Sequence, residues 1–209
     1  MLANLKTHGD LHLPRKIFHV LSILFILACM IFFPPKICWT IYFCVGMPMV
    51  LIDFGRKYNP ALNRLFLKLI GPFLRKHEAR QASGAAWSII GVGICYFIFP
   101  IKIAQLATLF LAVGDPSASF FGVLFGKRNL WRGKSLAGFA GCFLVCTIAA
   151  QIFLHYTTSS THLPLALLFG AVGCIAEAIP VWKLDDNLSQ PLISSTLIFL
   201  LYQTIGAPV

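Results

Sequence analysis

The chain contains seven acidic residues, and two of them, Asp115 and Glu177, fall inside long hydrophobic runs next to cationic loops. An ionisable group within a membrane span costs at least ~2.5–3.5 kcal/mol on insertion scales, which makes each a candidate functional group by default. The plainer alternative is an acid paired with a loop arginine. Asp115 stands in Gly114-Asp115-Pro116-Ser117-Ala118-Ser119, with Gly122 and Gly126 following. Pro116 removes a helical hydrogen bond and Gly114 is flexible, so the spacing predicts a span broken into two half-helices. Asp115 would be the N-cap and Pro116 the first residue of the second half. A half-helix N-terminus at membrane depth presents free N–H groups and a positive dipole end, which suits a phosphate or carboxylate. Alternatively, Asp115 merely caps a kinked helix.

Three other groups have chemical potential. Lys127, Arg128, Arg132, Gly133, Lys134 and Ser135 form a basic loop, with Ser135 placed to cap the next span. Gly133-Lys134-Ser135 imitates the end of a P-loop, but Arg128 occupies a required glycine position and no strand precedes it. What survives is the chemistry of Lys127 and Lys134 as point cations for phosphate, set against ordinary loop charge. Asp185-Asp186-Asn187 offers hard oxygen donors suited to Mg²⁺ that also binds substrate phosphates, although either acid could simply cap the final span. Arg15, Lys16 and His19 stand at the entrance of the first span, with Arg15 and His19 on one helix face. A membrane-anchoring pair and a buried polar His are the plain alternatives.

The elements that must position these groups are membrane spans. The chain is 58% hydrophobic and 11% charged, against roughly 25% charged in a soluble domain. Apolar stretches run over 17–33, 37–52, 84–101, 103–125, 136–154, 163–181 and 191–208, lengths near the ~17–25 residues that cross a ~30 Å hydrocarbon layer. About seven spans are expected, the second and last weakest. The first lacks a small-residue cleavage site and is read as an uncleaved anchor. Counting loop cations by parity places 15 of the 17 Lys and Arg on one side, with Lys36 and Lys102 opposite. By the positive-inside rule the N-terminus is cytoplasmic. The +10 charge is therefore topological and no argument for nucleic acid. All seven acids, Asp10, Asp53, Glu78, Asp115, Glu177, Asp185 and Asp186, lie on or near that same face. Between Pro60 and Lys76, Leu62, Leu65, Phe66, Leu69 and Phe73 recur at helical spacing, with Arg64, Lys68 and Arg75 on another face. This predicts an amphipathic helix on the cytoplasmic surface. Cys142 and Cys146, four residues apart, permit a metal site, but small apolar packing is the expected use. The whole reading is an all-α, polytopic transmembrane bundle forming a single catalytic domain over 1–209.

In this order the motifs resemble a known family. Arg15-Lys16-x-x-His19, Glu78 before Gly84, Gly114-Asp115-Pro-Ser117-Ala-Ser119-x-x-Gly122-x-x-x-Gly126-Lys127, Lys134-Ser135-Leu-x-Gly138, and Glu177 with Asp185-Asp186-Asn187-Leu-x-x-Pro191 are similar to the CTP-dependent lipid kinases. That family includes dolichol kinase, phytol kinase and the yeast-type diacylglycerol kinase, and is distantly similar to phosphatidate cytidylyltransferases. The resemblance implies CTP as phosphoryl donor, a divalent metal such as Mg²⁺, and a membrane lipid alcohol as acceptor. Arg15, Lys16, Asp115 and Gly122 match positions associated with activity in the family.

Phosphoryl transfer is mostly positioning and charge stabilisation. The expected roles are Asp115 with Asp185, Asp186 and Asn187 for the metal, and Arg15, Lys16, Lys127 and Lys134 for the triphosphate. Glu177 or Glu78 would take the hydroxyl proton. His19, Gly114, Ser117, Ser119, Gly122 and Ser135 would complete the nucleotide site. The membrane would be a bacterial cell membrane or the endoplasmic reticulum, with the site on the cytoplasmic face; a homo-oligomer stays open. A cytidylyltransferase would use the same cations, but its Lys-Asp and Asp-Arg-x-x-Asp patterns are missing. An organic-anion transporter should show inverted repeats and a polar site near the midplane, and neither is evident.

Overall fold

In lipid, backbone polar groups must be satisfied within the segment, so long apolar runs become helices. The computed structural model describes residues 13–126, 129–131, 134–158, 162–179, 181 and 184–205. Nine α-helices occur among them: α1 (Leu13–Phe32), α2 (Pro35–Ile41), α3 (Met47–Gly55), α4 (Pro60–Ile70), α5 (Gly84–Ile98), α6 (Ile101–Phe125), α7 (Leu136–Thr158), α8 (Leu163–Ala178) and α9 (Asp186–Ile205). A π-helical turn, Tyr42–Gly46, joins α2 to α3. Widening the turn ahead of Pro48 keeps Pro35–Gly55 helical where the sequence suggested an interruption. Five helical segments are long and apolar enough to cross a membrane: α1, Pro35–Gly55, α6, α7 and α9. The apolar helices α5 and α8 are shorter. This is a helical membrane protein.

The expected surface helix is α4. Asn59 caps it, its Oδ1 accepting from the N–H groups of Ala61 and Leu62 at 3.0 and 3.1 Å, and Pro60 fills the first position. Phe66, Leu67 and Ile70 turn inward onto Leu74 and Ala79. Leu65 and Leu69 face outward beside Arg64 and Lys68, a mixed apolar and cationic face of the kind that lies on lipid.

Two features correct the sequence reading. The fourth span is one continuous helix through Gly114, Asp115 and Pro116, not two half-helices, and Asp115 caps nothing. Side-chain donors, two of them from other helices, converge on the α6 backbone near the proline. Gln190 Nε2 of α9 donates to the Phe110 carbonyl at 3.1 Å, His19 Nε2 lies 3.4 Å from the Leu111 carbonyl, and Ser117 Oγ donates to the Gly114 carbonyl at 2.8 Å. Neighbouring helices thus place polar side chains on the α6 backbone in the turns before Pro116, through which the helix continues. The second correction is a small departure from all-α: Asn129–Trp131 pairs antiparallel with Lys134–Ser135.

Helix α6 is central, packing against α1, α5, α7, α8 and α9. Phe110, Cys146, Phe169 and Ile198 form one core between α6, α7, α8 and α9, and Ile23, Cys95 and Leu111 form another between α1, α5 and α6. Cys142 and Cys146 are fully buried there with their sulfurs 3.9 Å apart, which matches the packing expectation. Close approach of α6 and α7 depends on Gly138, where an added Cβ would lie 2.6 Å from the Ala118 carbonyl oxygen. Gly138→Ala should therefore cost ~1–3 kcal/mol through backbone displacement. Gly55→Ala, which meets nothing within 4 Å, should stabilise by ~0.4–1 kcal/mol. Thermal unfolding of the two variants in detergent checks this; equal melting temperatures would contradict it.

Candidate active site

The charged end of the bundle is organised from α3 upward. Asp53 and Arg56 are 2% and 1% exposed and form an ion pair of 2.6 Å. The arginine also donates to Asn63 Oδ1 at 2.8 Å and to the carbonyls of Glu78 and Gln81, both at 2.7 Å, while its guanidinium lies 4.1 Å from the Phe66 ring centre. Asp53 Oδ2 accepts from the Ser83 N–H at 2.7 Å. One buried pair thereby ties α3 and α4 to the segment 75–84.

That segment presents Glu78 inward. Glu78 Oε2 accepts from the Arg75 N–H at 2.6 Å and Oε1 from the Gly84 N–H at 2.9 Å, with Arg15 Nη2 3.9 Å from Oε1. Both carboxylate oxygens are thus committed to backbone donors, an arrangement that shapes a loop. Gly84 opens α5 against Asn187: a Cβ there would come within 2.7 Å of Asn187 Nδ2.

The acidic loop is equally local in its bonding. Asp185 caps α9, its Oδ1 accepting from the Asn187 N–H at 3.0 Å and from Asn187 Nδ2 at 2.6 Å. Asp186, in the first turn of α9, is exposed. Across from it, Lys134 Nζ donates to Glu177 Oε1 at 2.9 Å and to the Glu177 carbonyl. Glu177 is 9% exposed. Ser135 caps α7 as expected, its Oγ accepting from the Gly138 N–H at 3.1 Å. Gly122 and Gly126 face Ser135, so their lack of a side chain serves helix approach.

Asp115 stands between these groups. It is half-buried and makes no hydrogen bond to the described residues. It lies in the electrostatic field of Arg15, Lys16 and His19 from α1, of Glu177 from α8 and of Asp186 from α9. The structure therefore brings together Arg15, Lys16, His19, Glu78, Asp115, Lys134, Glu177, Asp185 and Asp186. Ser117 is spent on the α6 backbone, and Ser119 is half-buried without a hydrogen bond among the described residues. Lys127 lies outside the described residues. The sequence pattern marks Arg75 only as surface charge; its field reaches Arg15, Lys16, His19 and Asp186. Its spacing of three from Glu78 was the available signal.

Among the described residues no group of three or more His, Cys, Asp or Glu is placed to hold a metal by itself. Mg²⁺ asks for less, one or two carboxylates with waters and substrate phosphates completing the shell. The hard oxygens of Asp115 and Asp186 are donors of the type that lighter requirement asks for, and Lys134, Arg75 and Asp115 all contribute to the field at Asp186.

No family model matches the chain, and no solved structure matches it. Curated relatives do. CTP-dependent diacylglycerol kinase 1 of Schizosaccharomyces pombe is 35% identical over 167 residues, spanning 74% of this chain and 77% of the relative. The proteins of the same name from Saccharomyces cerevisiae and Eremothecium gossypii are 27% and 28% identical. The first alignment spans 92% of this chain and 76% of that relative, the second 87% and 64%. On that identity and coverage, the chain belongs to the CTP-dependent lipid kinase family.

Proposed function

We propose that this protein transfers the γ-phosphate of CTP to the free hydroxyl of diacylglycerol, acting as one membrane-embedded catalytic domain at the cytoplasmic face. Seven membrane-crossing helical segments, with α5 and α8 as short members and the N-terminus cytoplasmic, accompany this reading. The observation that carries it is the carboxylate of Asp115, which makes no hydrogen bond or ion pair among the described residues and lies in the field of the cations of α1 and the acids of α8 and α9. An acid held at membrane depth without a hydrogen-bonded partner costs folding energy and so needs another use.

The diacylglycerol hydroxyl oxygen attacks the γ-phosphorus, the bond from that phosphorus to the β,γ-bridging oxygen breaks, and CDP leaves. Arg15, Lys16 and Lys134 hold the triphosphate, and Lys127 is assigned the same role on its place in the sequence motif alone. Asp115 and Asp186, with Asp185 behind them, would hold Mg²⁺, which when bound supplies charge neutralisation at the phosphate oxygens. Glu78 has both oxygens occupied by backbone donors, so the hydroxyl proton passes to Glu177, released from Lys134 when that lysine turns to phosphate.

Purified protein in mixed micelles, given CTP labelled at either the α- or the γ-phosphorus, tests the reaction. The expected result is γ-label in phosphatidate and α-label in CDP. Diacylglycerol should be preferred over dolichol, undecaprenol, phytol and geranylgeraniol. Formation of α-labelled CDP-lipid from phosphatidate, with γ-label in pyrophosphate, would identify a cytidylyltransferase instead. Preference for a polyprenol would replace the acceptor but keep the kinase.

A further inference from the structure

Helix α1 carries an exposed ridge of Leu13, Ile17 and Leu21, one residue per turn on a single line. An apolar groove runs along each side of it. The first, ≈ 410 Å³, lies between the Lys16 and Val20 flank and Val113, Pro116 and Phe120 of α6. The second, ≈ 440 Å³, lies along the Pro14 and Phe18 flank and is walled by Phe73, whose ring stacks on Phe18 at 4.8 Å. The two share only the ridge and are nearly equal in size.

Their placement ties them to the chemistry. The first groove passes Pro116, which adjoins Asp115, and includes Lys16 in its wall. The second ends at Phe73, two residues before Arg75. Lys16 lays its apolar stem along the groove and leaves its ammonium in the field of Asp115. From Leu13 to Leu21 the helix rises ~12 Å, close to half of a ~30 Å hydrocarbon layer. Both grooves therefore run over the depth of one leaflet, the leaflet beside the charged face.

We propose that the grooves seat the two acyl chains of a single diacylglycerol astride α1, leaving its glycerol hydroxyl at Lys16 and Asp115. The proposal rests on the lipid kinase reading above and adds a reason for acceptor choice. A single-tailed isoprenoid alcohol fills one groove and leaves the other wall without its partner. Selectivity for two tails is thus set by the ridge, not by headgroup contacts.

Two measurements test it. Diacylglycerol bearing a diazirine midway along its acyl chains is photolysed with wild-type protein, and adducts are located by mass spectrometry. Adducts on Val20, Val113, Phe18 and Phe73, displaced by unlabelled diacylglycerol, support the seat. Adducts spread equally onto the lipid-exposed Leu144 and Ile148 of α7 overturn it. In kinetics, Val113→Trp fills the first groove and Phe73→Ala removes the wall of the second. Each should raise KM for dioleoylglycerol about tenfold with KM for CTP within about twofold; an unchanged KM for dioleoylglycerol in both variants overturns the proposal. Because photolabelling needs no turnover, displaceable adducts in the grooves of a protein that does not phosphorylate diacylglycerol would uphold the seat and refute the kinase assignment instead.

Discussion

Asp115→Asn is expected to lower phosphatidate formation by ~10³-fold, the size of loss seen when a charge-stabilising group is removed from a preorganised site, while leaving the fold intact. The amide is isosteric, and Asp115 has no hydrogen bond to the described residues that it could lose. Replacing an ionisable group at membrane depth with a neutral one lowers the cost of inserting α6, so the melting temperature in detergent should hold or rise. That combination separates a working acid from a structural one: a structural acid, once neutralised, loses stability and activity together. Asp186→Asn should follow the same pattern, because Asp186 is exposed and lies beyond the Asp185 cap. Wild-type turnover in both variants would remove these acids from the site.

Arg56→Ala should produce the largest loss of stability in the molecule, ~3–5 kcal/mol, because it strands the buried carboxylate of Asp53. The same change removes donors from Asn63 and from the carbonyls of Glu78 and Gln81. Arg56→Lys should rescue little: a point cation cannot reproduce a planar fork that serves three directions at once. Chemical and thermal unfolding in detergent, with limited proteolysis between residues 71 and 84, gives the readout. A melting temperature within a few degrees of wild type would show that the pair is dispensable.

These two residues also show what local sequence signals carry and what they do not. Asp115 stands out in the sequence because one acid in an apolar run is rare and costly, and the glycines and serines around it match a motif. The helix continuity around it was not legible. Proline and glycine are local signals for a break, whereas the packing around this turn, including the donors His19 and Gln190, comes from residues 92 and 80 positions away in the chain. In the sequence Arg56 is one of many loop cations obeying the positive-inside rule, and its spacing of three from Asp53 is the one local sign of the pair. Its burial comes from α4 folding back over it, and composition carries no trace of that. Ser135 and Asp185 as caps follow from local chemistry, and the structure shows both.

The contact between α5 and α9 has a consequence for how the protein comes to be active. Gly84 and Gly91 form a slot for Asn187, Leu188 and Pro191, and α9 brings buried Ser189, Gln190, Ser194 and Ser195 with it. By hydropathy α9 sits at the bottom of the five long segments, at 1.2. Such a segment partitions poorly by itself and gains from packing through small and polar residues against helices already in the bilayer. During synthesis α1 to α8 emerge before it, so a nascent chain holds Asp115 and its cations without Asp186. With Asp186 in the role proposed above, catalytic competence would arrive late, with the docking of α9, and a chain stalled before that point would be inserted but inert.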